Sequence, residues 1–188
     1  MLFARKVLFV EGISEQTLLP RFFAIHTDNK QTFEGIGAVV VNVNGIAFRH
    51  FLTIVKNGLF LRCAVITDRD PTTRGGERAT ALRDEFGEPR TISVCISDHA
   101  TFEKDIIAAN CNGDGKALLL KALQATKPIV GKQVAEATAQ SPLDPDDFFP
   151  KIEDCKAEFA FNLAALLDSP VCGFTVPSYI ISAFRFLE

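Results

Sequence analysis

Four short apolar runs, separated by segments with helical periodicity, constrain the fold of this chain most strongly. The runs are residues 6–10, 38–43, 62–68 and 91–97. Each is continuously apolar rather than alternating, which is typical of strands buried on both faces of a parallel sheet. The segments between them space their apolar residues three or four apart and are predicted to be helices: 14–26, 47–56 and 76–86. The order β-α-β-α-β-α-β predicts a doubly wound α/β fold with right-handed crossovers.

After the fourth run the strand signals stop. The remaining periodic segments predict helices over 102–110, 116–125, 131–139 and 152–167, and a last helix from Pro177. Residues 139–151 contain three prolines and are predicted to be a loop. We therefore expect an α/β core over residues 1–110 and a helical C-terminal extension over 111–188 that completes the same functional region.

Composition limits the classes of protein that this chain can belong to. Of its 188 residues 47% are hydrophobic, and no continuous apolar run approaches the roughly 18 residues that a membrane span needs. No secretion signal opens the chain, so we expect a cytoplasmic protein without a membrane partner. The formal net charge of −3 argues against binding nucleic acid by overall charge alone, but not against a metal-using enzyme.

Cysteine usage points away from disulfides and from a zinc site. The five cysteines are odd in number, widely separated and mostly beside apolar residues. We expect them to be buried thiols.

Acidic residues follow three of the four predicted strands. Glu11 follows the first, Asp68 and Asp70 follow the third, and Glu103 and Asp105 follow the fourth. Ligands of open parallel α/β sheets gather at the carboxyl ends of the strands, so these acids are predicted to converge on one edge. Glu15 lies in the first turn of the first helix, after Ser14 as a plausible N-cap.

Two interpretations of these acids stay open when each is taken alone. Turns favour aspartate and helix starts favour glutamate, so each has an ordinary structural explanation. Together, several carboxylates at one edge repel one another unless cations are present, and their hard oxygens suit Mg²⁺ or Mn²⁺. The set therefore indicates two divalent cations that act on a phosphodiester.

The spacing of these acids resembles the Toprim module of topoisomerases and primases. "VLFVEG" is followed, 57 residues after its glutamate, by "VITDRD", as in the glutamate and DxD pattern of that module. More specifically, "LFARKVLFVEGISEQTLLP", "VITDRD", "TFEKDI", "CKAEFAFNLA" and "VPSYIISAFRFL" resemble successive blocks of the nuclease region of the OLD (overcoming lysogenization defect) family. The resemblance covers nearly the whole chain. It implies a Toprim-like, Rossmann-like parallel sheet and a metal-dependent DNA nuclease that follows an ATPase region.

The resemblance also implies roles for single residues. Glu11, Glu15, Asp68, Asp70 and Glu103 would be metal ligands, with Glu11, Asp68 and Asp70 also counted as catalytic. Asp105 would be either a further ligand or a helix-start residue that faces solvent. Lys156 would match a late-helix lysine that offsets charge on the transferred phosphate, the alternative being a solvated lysine.

Further basic residues lie near the predicted acids. They are Arg69, Arg74, Arg78 and Lys104. They would either hold DNA phosphates or be ordinary exposed cations.

Two other functions compete with a two-metal endonuclease or nickase. A catalytically silent Toprim-like module would bind DNA or a protein partner without cutting. A phosphotransferase would form an aspartyl intermediate at Asp68, which leaves Glu11 without a role. The expected ligands are present, which favours the nuclease.

Overall fold

The computed structural model describes residues 4–45, 47–69, 75–167 and 173–188. These residues form, in chain order, β1 (Lys6–Val10), α1 (Ile13–His26), β2 (Ala38–Asn42), α2 (Phe48–Lys56), β3 (Arg62–Thr67), α3 (Gly75–Phe86), β4 (Ile92–Ile96), α4 (Phe102–Ala109), α5 (Gly113–Thr126), α6 (Pro128–Ala137), α7 (Pro145–Ile152), α8 (Lys156–Leu166) and α9 (Ser178–Leu187). A short 3₁₀ turn, Glu153–Cys155, joins α7 to α8.

The four strands form one parallel sheet in the order β2-β1-β3-β4. Phe9 of β1 pairs with Val41 of β2 and with Val65 of β3, and Val65 pairs in turn with Val94 of β4. The predicted Toprim-like parallel α/β fold is therefore confirmed. All four carboxyl ends lie at the same edge, which is the edge where the candidate acids were expected.

Both faces of the central strands are buried, as their continuous apolar sequence predicts. Val7 and Phe9 belong to a core cluster with residues of α2 and α3, including Leu52 and Phe86. The alternate residue, Leu8, faces the other side of the sheet and is also fully buried. On that side Phe23 of α1 meets Phe184 of α9 edge to face, with ring centroids 5.3 Å apart.

The chain divides into two compact units. One consists of Met1–Phe102 with Ser178–Glu188, and the other of Glu103–Pro177. The first contains the sheet, because α9 returns from the end of the chain to pack on β3 and β4. The second is helical and contains α4 to α8. The predicted division at residue 110 differs from these bounds, since α9 lies with the sheet.

The helix predictions were wrong in detail at several points. Part of the predicted loop 139–151 is helix α7, because Pro145 occupies its first turn and the side chain of Asp144 caps it by accepting from the Asp146 amide at 2.8 Å. Helix α6 likewise has a proline in its first turn and begins at Pro128 instead of residue 131. The N-cap of α1 is Gly12 and not Ser14, which is itself a buried helical residue.

The cysteines that the structure describes carry free thiols. Cys63 and Cys95 are buried as expected, Cys111 and Cys155 are partly exposed, and Cys172 lies outside the described residues. Burial raises the pKa of both the Cys63 and the Cys95 thiol. No helix in the described parts of the chain has both the length and the apolar character needed to cross a membrane.

The buried Cys63 thiol predicts a pH dependence of stability. Its folded pKa lies above the ordinary value of 9.0, so the unfolded chain ionises first as the pH rises. The stability that the neutral thiol contributes is complete below pH 9 and is lost progressively above it. We expect wild type to lose roughly 1 kcal/mol more than Cys63→Ala between pH 9 and pH 10, measured by urea unfolding. A stability gap that stays constant over this range would contradict the prediction.

Candidate functional site

The register of β1 and β3 brings Glu11 and Thr67 together. Glu11 lies two residues after Phe9, and Thr67 lies two residues after Val65, the partner of Phe9. Residues two apart along a strand lie on the same face, so both side chains are presented on one side of the sheet edge. The Thr67 hydroxyl donates a hydrogen bond to Oε1 of Glu11.

Two further donors converge on the same carboxylate oxygen. The Asp68 amide lies 3.2 Å from Glu11 Oε1, and the Arg78 guanidinium of α3 lies 3.3 Å from it. The main chain is held as well, because the Gly45 amide donates to the Glu11 carbonyl at 2.8 Å. Within the described residues, these three hydrogen bonds of the carboxylate all go to Oε1. Glu11 is thus fixed by neighbours on three elements while its side chain stays 18% exposed.

Asp68 and its loop are attached to the segment after β4. Oδ1 of Asp68 accepts a hydrogen bond from the Phe102 amide at 2.8 Å. The Arg69 amide donates to Oγ of Ser97 at 2.7 Å, and this hydroxyl donates in turn to the His99 carbonyl at 2.7 Å. Ser97 is fully buried, so it connects the two loops from inside the protein. Asp70, the second acid of the DxD pattern, lies outside the described residues.

Glu15 folds back towards the start of its own helix. It is 7% exposed, and its Oε2 lies 3.0 Å from the point that a Cβ on Gly12 would occupy. Glu15 is the third helical residue after the Gly12 N-cap, the position from which a glutamate reaches back to the N-cap amide. Its carboxylate therefore packs over the residue that follows Glu11, and the absence of a side chain at Gly12 makes room for it.

The donor set at this edge suits a hard divalent cation. Glu11 and Asp68 offer carboxylate oxygens from adjacent parallel strands, and hydrogen bonds from neighbouring groups orient both, as is usual for metal-binding carboxylates. Among the residues that the structure describes, no three histidine, cysteine, aspartate or glutamate side chains are grouped closely enough to hold a metal ion. The third acid that the DxD pattern supplies, Asp70, is outside that set.

The other predicted residues, Glu103, Asp105 and Lys156, lie in the helical unit. Nζ of Lys156 is 3.4 Å from Oε2 of Glu103 and 4.7 Å from the centre of the Phe149 ring. Lys156 is therefore paired rather than simply solvated. Glu103 and Asp105 are 6% and 4% exposed, so Asp105 does not face solvent.

The predicted basic residues differ in their surroundings. Arg78 contacts Glu11, as described above. Lys104 lies 2.5 Å from Asp146 and over the Phe149 ring, which makes it part of the helical unit. Arg69 contributes its main-chain amide, which donates to Ser97, and Arg74 lies outside the described residues.

Sequence reasoning missed the hydroxyl groups that hold the acids. Thr67 and Ser97 are 2% and 0% exposed and lie at the carboxyl ends of β3 and β4. A signal was present, since each is a hydroxyl residue that directly follows an apolar strand and precedes an aspartate, in "VITD" and "CISD". Their partners could not be deduced, because these depend on the pairing register and on loop geometry.

Fold and site together define a Toprim-like α/β domain, and comparison with known families agrees. Residues 2–70 match the family model described as "Overcoming lysogenization defect protein-like, TOPRIM domain". The matched segment includes β1, β2, β3, Glu11 and both acids of the DxD pattern. The predicted resemblance to the OLD-type Toprim domain is therefore confirmed over these residues.

Solved structures share this fold over the whole chain. The C-terminal region of the Burkholderia pseudomallei OLD protein matches with a TM-score of 0.70 and 23% identity, covering 98% of this chain and 97% of that one. The C-terminal region of the Xanthomonas campestris pv. campestris OLD protein matches with a TM-score of 0.69 and 23% identity, covering 100% and 96%. No curated protein matches the sequence.

Removal of the Thr67 hydroxyl tests the network around Glu11. Thr67→Val keeps the size of the side chain but withdraws a buried donor from a carboxylate. We expect the free energy of unfolding to fall by about 1.5–3 kcal/mol, the usual range for a hydrogen bond to a charged group.

Thr91→Val is the matched control for this variant. The Thr91 hydroxyl also donates to a glutamate, Glu88, at 2.6 Å, but this hydrogen bond is exposed. Its loss should change stability by no more than about 0.5 kcal/mol. Equal losses in the two variants, measured by chemical denaturation, would show that Thr67 has no special relation to Glu11.

Proposed function

We propose that this chain is a divalent-metal-dependent DNA nuclease domain that hydrolyses phosphodiester bonds. The proposal rests on the contact between Glu11 and the Asp68 amide, 3.2 Å from Oε1, inside a segment that matches the OLD-like TOPRIM model. This contact fixes the glutamate of the first strand and the first aspartate of the DxD pattern side by side.

The proposed ligands at the sheet edge are Glu11, Asp68 and Asp70, with Glu15 as a further ligand. For Glu11 the support is the arrangement of donors, since three neighbours fix Oε1, and Oε2 would then coordinate a cation. For Glu15 the support is its carboxylate, which packs over Gly12, the residue after Glu11. Two bound Mg²⁺ or Mn²⁺ ions would supply an activated water and stabilise the leaving oxygen of the phosphodiester.

The residues around the carboxylates would keep them in place as substrate arrives. Thr67 and the Asp68 amide hold Glu11, and the Phe102 amide holds Asp68, so neither carboxylate needs to reorganise. Preorganised groups of this kind avoid a reorganisation cost during the reaction. Arg78 places a positive charge beside Glu11 and offsets part of the repulsion between the acids.

In the helical unit, the family resemblance assigns Glu103 and Asp105 as ligands and Lys156 as the cation that offsets phosphate charge. The pair that Lys156 forms with Glu103, at 3.4 Å, supports a fixed position for the ammonium group. A lysine on an aromatic ring and beside a buried carboxylate has few alternative positions. These three roles stay predictions.

The matched structures support a larger organisation. Both are C-terminal regions of OLD proteins. From the resemblance to the OLD family, we propose that this domain acts with an N-terminal ATPase region, on DNA in the cytoplasm.

The competing functions have less support. A silent binding module has no need of two carboxylates oriented by buried donors. An aspartyl phosphotransferase would use Asp68 alone and leave the three donors on Glu11 unexplained. The only tyrosine, Tyr179, is buried at 7% exposure, which disfavours a topoisomerase-like tyrosine nucleophile.

Plasmid cleavage tests the proposal. Supercoiled DNA is incubated with the protein and Mg²⁺ or Mn²⁺, and the loss of the supercoiled form is timed. Glu11→Gln and Asp68→Asn remove charge with little change in shape. We expect each to slow cutting by about 100-fold or more, since even the outer partners of metal ligands typically contribute 10–100-fold.

Glu88→Gln serves as the control, because it makes the same charge change at an exposed position before β4. Its cutting rate should stay within about twofold of wild type. Cutting by Glu11→Gln and Asp68→Asn at the control rate would refute the metal-nuclease proposal. DNA binding retained by these variants would show that they fail at the chemical step.

A further inference from the structure

A basic cavity lies at the amino end of the sheet, away from the acids. We call it the arginine cavity: it has a volume of about 450 Å³ and is lined by Arg62, Pro89, Arg90, Arg185 and Phe186. Arg62 begins β3, Arg90 lies just before β4, and Arg185 is on α9. Because the strands are parallel, these residues lie at the opposite end of the sheet from Glu11 and Asp68.

The positive charges of this cavity are not matched by acidic residues in its lining. Within the described residues, none of its three arginines forms an ion pair, and the lining contains no acid. Arg62 donates one hydrogen bond, to the Phe186 carbonyl at 2.9 Å, and a guanidinium has five donors. Arg90 and Arg185 are exposed. Most of the donors that meet at this cavity are therefore available to a ligand.

A further cation adds to this charge. Lys6 is the register partner of Arg62 on the neighbouring strand. Burial and the adjacent Arg62 charge lower the pKa of Lys6, and Glu188 offsets this only in part. Like charges that sit directly opposite each other in a sheet are destabilising. A bound anion would relieve this repulsion, so the arrangement points to an anionic ligand.

The chemistry of the cavity favours phosphate groups. Guanidinium groups bind phosphate oxygens through paired, charge-assisted hydrogen bonds, and arginine is the usual residue for this contact. Three arginines from separate elements would contact more than one phosphate of a chain. Pro89 and Phe186 complete the lining of the cavity.

We propose that the arginine cavity binds the phosphodiester backbone of DNA, as a contact site apart from the carboxylates. The choice of DNA rests on the proposed function. A strand of six residues spans roughly 20 Å, so a phosphate held here is not the phosphate that reacts at the other end of β3. The contact would instead hold a flanking stretch or a second segment of DNA.

The salt dependence of DNA binding tests this site without any cutting. A fluorescent duplex is titrated with the whole chain in EDTA at several salt concentrations, and affinity is followed by anisotropy. The double variant Arg90→Ala/Arg185→Ala removes two phosphate contacts. The slope of the logarithm of the association constant against the logarithm of the salt concentration should therefore become less negative by about 1.8. Arg90→Lys/Arg185→Lys, which keeps the charges, should retain most of the slope.

Lys121→Ala/Lys132→Ala is the matched control, because it removes two exposed positive charges from α5 and α6. Its slope should equal that of wild type. An unchanged slope in the arginine variant, or an equal decrease in the control, would overturn the proposal.

Two further measurements distinguish DNA binding at this cavity from small-anion binding and from the nuclease activity. Inorganic phosphate is titrated by NMR. Saturable phosphate binding that disappears in the arginine variant while the DNA slope is kept would identify a small-anion site and overturn the proposal. Plasmid cutting is measured in parallel. If the wild type does not cut DNA but the arginine variant has a reduced salt slope, the DNA contact at the cavity is supported and the nuclease activity is not. If the wild type cuts DNA but the slope is unchanged in the arginine variant, the nuclease activity is supported and the contact at the cavity is not.

Discussion

The parallel pairing of β1 with β3 is the constraint on which the candidate site depends. The register that joins Phe9 to Val65 places the next residues on the same face, Glu11 and Thr67, within hydrogen-bonding distance. A slip of one residue would turn one of the two to the other face of the sheet, and the contact would be lost. The apolar side chains buried on both faces of these strands fix the register, so the core determines the geometry of the acids.

The same strand pairing also brings together groups that offset the repulsion between the carboxylates. Carboxylates brought to one edge repel one another, and a fold without compensation would lose stability there. The chain surrounds Glu11 with a hydroxyl, an amide and a guanidinium, and it gives Asp68 the amide of Phe102. A divalent cation would offset the remaining negative charge. The hydrogen bonds to one oxygen of each carboxylate would orient its other oxygen towards that cation.

The sequence predicts the parts of this structure that depend on local pattern. The continuous apolar runs predict the bounds of β1 and β3 closely. The parallel arrangement of the two strands then brings Glu11 next to Asp68. Helix α7 was not predicted because a segment with several prolines is typical of a loop. In the structure Pro145 instead begins a helix, and Asp144 is its N-cap. The roles of Thr67 and Ser97 were not predictable, because their partners lie far along the chain and are set by tertiary packing.

Direct observation of a metal beside Glu11 and Asp68 is the most decisive measurement. Crystals soaked in Mn²⁺ would be examined for anomalous difference peaks, with Glu11→Gln crystals soaked in the same way. We predict a peak about 2.1 Å from a carboxylate oxygen of Glu11 and of Asp68, and its loss in the variant. An edge of the sheet without such a peak, in crystals where Mn²⁺ is bound elsewhere, would contradict the proposed metal site.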